Sequence, residues 1–162
     1  MANFLSFSGM IHMISDFWTG DEQTSGCSKI MSVQNGDGDV VNFVVTPDTY
    51  FVDHAMVSVG DTVIGFYDAD LPVILIFPPQ YHAVVMAKAS QYLNVKVAYF
   101  DTDLISSDGT LKLNISPSTQ MLLENGQRFT GNPANRNLTV VYGITTRSIP
   151  AQTTPHKIIV MC

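Results

Sequence analysis

Charge is scarce in this chain of 162 residues: only 14% of its side chains are charged, eight Lys and Arg against fourteen Asp and Glu. The formal charge of −6 repels a phosphate backbone, and no cluster of basic residues opposes that field locally. Nucleic acid is therefore not an expected partner. Cysteine is scarce too. Cys27 and Cys162 stand far apart and match no metal-ligand or redox spacing, so they are expected as free thiols in a reducing, cytoplasmic compartment. No apolar run approaches the roughly 18 residues of a membrane span. The opening MANFLSFSGMIHMISDFW lacks a basic n-region, and its apolar stretch is broken by Ser6, Ser8, His12 and Ser15. Neither a membrane nor a cofactor is expected.

What is present is alternation. Phe7, Gly9, Ile11 and Met13 alternate with Ser8, Met10 and His12, and Leu111, Leu113 and Ile115 with Lys112 and Asn114. Turn signals such as NGDG (35–38), TPD (46–48), SDG (107–109) and ENG (124–126) separate these runs. A helical period over 83–93 competes with a strand at 81–87, and the strand is preferred. The chain reads as all-β.

The sequence also matches itself. VVNFVVTPDT (40–49) lies over TLKLNISPST (110–119) at a shift of about 70 positions, including the turn that ends each strand. Thr62-Val63-Ile64 lies over Thr139-Val140-Val141, Leu71-Pro72 over Ile149-Pro150, and Val84-Val85-Met86 over Ile159-Val160-Met161. This predicts two duplicated five-stranded antiparallel barrel-like units, 1–88 and 94–162, packed as one body. The expected strands are 5–14, 28–34, 40–46, 62–68 and 81–87, then 94–100, 101–105, 110–116, 138–145 and 156–161. VSVGDTVIG (57–65) resembles the turn and strand of OB-folds and related small barrels, although neither half offers the helix that an OB-fold places between its third and fourth strands.

The stretch DADLPVILIFPPQYH (68–82) stands out. Its apolar run corresponds, in the self-match, to the polar AQTT of 151–154, so the unit tolerates a polar loop at that place. The apolar version must then be covered by the sister half, a second subunit or a ligand. Pro72, Pro78 and Pro79 stiffen both ends. The expected function is a non-enzymatic binding or assembly module, contacting itself as a homo-oligomer or another protein. Its contact surface is Val73, Ile74, Leu75, Ile76 and Phe77, framed by Asp70, Pro72, Pro78, Pro79 and Tyr81. The alternative is a small-ligand or metal-dependent enzyme in which Asp68, Asp70 and His82, joined by His54, supply acid–base groups or metal ligands. No nucleophile, phosphate cradle or metal spacing accompanies that group.

Other motifs yield to plainer explanations. NGDGD (35–39) has the donors of a calcium loop, but Thr46 stands where the terminal acid belongs, and a hairpin turn accounts for it. Met10, His12 and Met13 suit copper(I), but strand alternation puts the two methionines on opposite faces. The eight methionines read mostly as core. The aromatic side chains can offer stacking platforms to a sugar or small ligand, but alternation places most of them inside.

Overall fold

The alternating segment FLSFSGMIHMISD forms the longest strand of the computed structural model, which describes residues 2–162: β1 (Phe4–Asp16). Contacts divide the chain into two compact units, one spanning Phe4–Ala89 and one containing Ser90–Cys162.

In the first unit β1 is followed by β2 (Lys29–Gln34), β3 (Val40–Val45), β4 (Tyr50–Phe51), β5 (Thr62–Asp68), β6 (Gln80–His82) and β7 (Val85–Lys88). They form a seven-stranded sheet in the order β4-β7-β5-β1-β2-β3-β6. Ile11, Val33, Val41, Phe43, Val63 and Met86 are core residues of this unit. Gly65 is required there. A Cβ on it would lie 2.6 Å from the ring of Phe43, a fully buried core residue.

Two local features of the unit have sequence causes. Asn35 builds the β2–β3 hairpin turn: its Oδ1 accepts the N–H groups of Asp37 and Asp39 at 3.0 and 2.9 Å, and Gly38 takes a positive φ of 86°. The calcium-like donors are thus those of a turn. In β1 the register against β2 slips between Ile11 and Met13, leaving His12 as an extra, bulged residue. Ile11 and Ile14 both face the core as a result, while Met10 and Met13 are both exposed. The expectation that alternation separates the two methionines is corrected, and so is that of a mostly buried methionine set. Met31 and Met86 are buried, whereas Met10, Met13 and Met56 are exposed.

The second unit contains β8 (Asn94–Phe100), β9 (Leu111–Leu113), β10 (Gln120–Leu123), β11 (Arg136–Tyr142), β12 (Ala151–Thr153) and β13 (Lys157–Met161). One sheet runs β10-β13-β11-β8, and β12 pairs with β9 separately. Phe100, Leu111, Leu113, Leu138, Val140, Ile158 and Val160 are among its core residues.

The pairing scheme of one unit recurs in the other. β3–β6 and β4–β7 are parallel, as are β9–β12 and β10–β13, and β5–β7 and β11–β13 are antiparallel. The expected five-stranded antiparallel barrel is therefore corrected. Pairing is mixed, there are more and shorter strands, and in the first unit β4 and β6 end the sheet order instead of pairing to close it. The expected 81–87 strand is two strands, β6 and β7. They lie at separate places in the sheet and are joined by Ala83 and Val84, whose N–H groups donate to Val44 and Phe66. Residues 101–105 form a turn, with Asp101 Oδ1 accepting from the N–H groups of Asp103 and Ile105 at 2.9 and 3.0 Å.

One turn is repeated almost bond for bond. The Thr46 N–H donates to Thr49 Oγ1 at 3.1 Å, and Thr49 Oγ1 donates to the Ala83 carbonyl at 2.7 Å. In the second unit the Ser116 N–H donates to Thr119 Oγ1 at 3.2 Å, and Thr119 Oγ1 donates to the Pro155 carbonyl at 2.8 Å. Each threonine thus satisfies a turn amide and ties that turn to the segment entering β7 or β13.

Candidate functional site

The β5–β6 connection, residues 69–79, starts and ends on well-defined stems. Asp68 closes the end of β5: its Oδ1 accepts the Asp70 N–H at 3.0 Å, and its carbonyl accepts the Leu71 N–H at 3.3 Å. This is a side-chain-capped turn, favoured because a short carboxylate can reach its own backbone two residues on. At the other end the Pro79 carbonyl accepts the Asn42 N–H at 2.9 Å, which starts the β3–β6 pairing. Across the two stems, the rings of Tyr67 and Tyr81 stack with centroids 3.9 Å apart and planes 4° from parallel. Burial raises the Tyr67 pKa, and the adjacent Tyr81 hydroxyl raises it further by charge and hydrogen bonding. Sequence reasoning included Tyr81 and missed Tyr67. Its partner lies across a sheet connection that no local pattern announces.

Between these stems the backbone forms no strand. Leu75 is 96% exposed and Phe77 92%, and Leu71, Val73, Ile74 and Ile76 are exposed as well. Pro72 is exposed, and Pro78, Pro79 and Tyr81 are partly buried where the loop rejoins the sheet. Asp70 is the charged residue at the rim.

The hydrogen-bond register relocates the internal counterpart of this loop. Tyr81 sits opposite Phe43 and Thr153 opposite Leu113, so Phe77-Pro78 corresponds to Ile149-Pro150, and both of these peptide bonds are cis. The AQTT segment expected to match the apolar run is largely β12 itself. By strand register the loop lines up instead with the shorter connection 143–150. It is more polar, yet Ile149 before its proline is 97% exposed, as Phe77 is before Pro78.

The alternative acid–base residues take up separate positions. Asp68 and Asp70 share the turn just described. His82 lies on β6, where its Nε2 is 3.2 Å from Thr46 Oγ1. His54 ends a 3-10 turn at Val52–His54 and meets the Tyr50 ring edge-on, with centroids 5.9 Å apart. Among the described residues, no three His, Cys, Asp or Glu side chains are grouped to hold a metal ion. Cys27 and Cys162 are both free and exposed. Among the described residues no helix is long and apolar enough to cross a membrane.

No protein-family model matches the chain, and no curated protein matches it.

Proposed function

We propose that the chain is a non-enzymatic assembly module, built from two copies of one β unit, that binds a second copy of itself through the 71–77 loop. The observation that carries this reading is the unbroken exposure of six large apolar side chains from Leu71 to Phe77. Solvated apolar side chains scattered singly need no explanation, but a contiguous run of this size is a contact surface. Its stems support the same reading. The Tyr67–Tyr81 stack, the Asp68 turn and the prolines hold the loop before any partner arrives, which lowers the entropy lost on binding. Two-fold self-association would set the loop against its own symmetry mate, so one patch supplies both sides of the contact. The recurrence of the threonine turn and of the parallel strand pairs supports the two-copy origin of the units.

The test is the solution mass of the wild type and of the Ile74→Asp/Leu75→Asp double variant, measured by light scattering behind size exclusion. Circular dichroism would confirm that the variant folds. An oligomeric wild type and a folded monomeric variant are expected. A wild type that stays monomeric at high concentration would sink the self-association reading.

A further inference from the structure

Equivalent backbone positions carry different chemistry just after the repeated threonine turn. In the first unit the Tyr50 N–H donates to the Val84 carbonyl at 3.0 Å, and in the second the Gln120 N–H donates to the His156 carbonyl at 3.0 Å. Gln120 and His156 thus occupy the places of Tyr50 and Val84. Tyr50 is buried and Val84 partly so, while Gln120 and His156 are exposed. The chain beyond differs as well. After β4 it closes into the Val52–His54 turn, burying Val52. After β10 it reverses and comes back alongside, with Arg128 opposite Leu122 and the Phe129 N–H donating to the Met121 carbonyl at 3.0 Å.

The second unit is left with a cleft of about 810 Å3, lined by the Pro117–Gln120 turn region, the β10 reversal and His156. That volume lies within the ~300–1,000 Å3 range of small-molecule sites. One wall, Phe129, is fixed in place. Its ring lies so close to Gly131 that a Cβ there would be 2.8 Å away, and the Arg136 guanidinium sits 5.1 Å from its centroid. No acid lines the cleft, and Arg128 is its cationic side chain. Lys29, Lys88 and Lys96 are paired with Asp16, Asp61 and Asp108. Among the described residues, by contrast, the side chains of Arg128, Gln120 and His156 make no hydrogen bond or ion pair.

We propose that this cleft binds a small organic monocarboxylate with an apolar, ring-bearing body. A guanidinium presents a planar fork that matches a carboxylate with two parallel hydrogen bonds. Gln120 and His156 supply further polar groups at the rim, and Phe129, Met121 and Pro117 provide apolar surface for the carbon body. A single cation balances a single negative charge. A phosphate would call for more positive charge or a nest of backbone N–H groups. The sister unit serves as the internal comparison: there the corresponding positions hold Tyr50, which is buried, and Val84, which is partly buried.

The experiment is a titration of the isotope-labelled full chain with benzoate, followed by amide chemical shifts, with benzamide and inorganic phosphate as comparison probes. Saturable shifts at Met121, Leu122, Arg128 and Phe129 are expected for benzoate, with benzamide at least about tenfold weaker because it lacks the charge. Arg128→Gln should weaken benzoate by about tenfold or more with the rest of the spectrum unchanged. Gln120→Tyr/His156→Val, which installs the first unit's residues, should abolish the shifts. The proposal is overturned if benzoate at about 10 mM leaves the cleft amides unmoved. Equal binding to Arg128→Gln, equal binding of benzamide, or tighter binding of phosphate would overturn it as well. All of these readouts concern the second unit and stand apart from whether the 71–77 loop self-associates.

Discussion

Asp108 gathers donors from three residues. Its carboxylate accepts from Lys96 Nζ at 2.7 Å, Ser106 Oγ at 2.6 Å, Thr110 Oγ1 at 2.8 Å and the Thr110 N–H at 3.1 Å. Burial alone would raise its pKa, but the hydrogen bonds from Lys96, Ser106 and Thr110 outweigh it and hold the carboxyl well below the usual carboxylate range. A carboxyl depressed in the folded state stabilises the fold above its unfolded pKa, and the contribution fades as pH falls through the folded value. Asp108→Asn is therefore expected to lower stability by about 1 kcal/mol at neutral pH, a modest figure because the side chain is half exposed to screening solvent. The gap to wild type should close progressively below about pH 4, the ordinary aspartate range. Urea unfolding at neutral and acid pH checks this, and a gap independent of pH would rule out the carboxylate as its cause. The Ser-Asp-Gly turn at 107–109 was legible in the sequence, without the part that Ser106 plays in it. Its ion pair to Lys96 was not, because it joins a turn to a separate strand.

At the scale of elements, Gly65 and Phe43 set a limit on the first sheet. Gly65→Ala would place a methyl 2.6 Å from the Phe43 ring, which overpacks a fully buried site and is expected to cost about 1–3 kcal/mol. The same change in a Phe43→Leu background should cost much less, and thermal unfolding of the four-member cycle measures the difference. Equal costs in both backgrounds would mean that the clash relaxes elsewhere. The long strands were readable because each is a sustained run, rich in β-branched and aromatic side chains and bounded by turn signals: β1, β2, β3, β5, β8, β11 and β13 all fall within or near their expected spans. β4 has two residues and β12 three, too few for any period to register. Parallel pairing was invisible for a different reason. Such partners are distant in sequence, and here the crossovers contain no α-helix to mark them, only the short 3-10 turn at Val52–His54. The 73–77 run illustrates the ambiguity of short apolar stretches, since hydrophobicity alone does not separate a buried strand from an exposed loop.

For the whole molecule, a formal charge of −6 opposes any meeting of two copies. The proposed contact is apolar from Leu71 to Phe77 and carries none of that charge itself. Added salt should therefore strengthen self-association, because it screens the long-range repulsion and leaves apolar burial intact. Raising ionic strength from about 20 to 300 mM is expected to shift the light-scattering mass toward the oligomer, whereas dissociation by salt would indicate a contact held by ion pairs. The exposed loop was singled out by sequence because its composition is unusual for a connection. The second-unit cleft was not, because Arg128, Gln120 and His156 come from separate segments and none is unusual alone.

The bulge at His12 gives β1 a change of phase. Before it, odd-numbered Phe7 and Ile11 point inward; after it, even-numbered Ile14 does. The strand is thus two half-strands spliced out of step, and a single inside–outside rule inverts halfway along it. With the sheet pairing held, removing His12 would leave Ile11 and Ile14 two positions apart and both facing the core; it is regular pairing with His12 retained that would turn one end inside out, trading core Ile14 for solvent-facing Met13. The bulge acts as a reading-frame correction that absorbs the extra residue and lets both halves bury their apolar side against the same core.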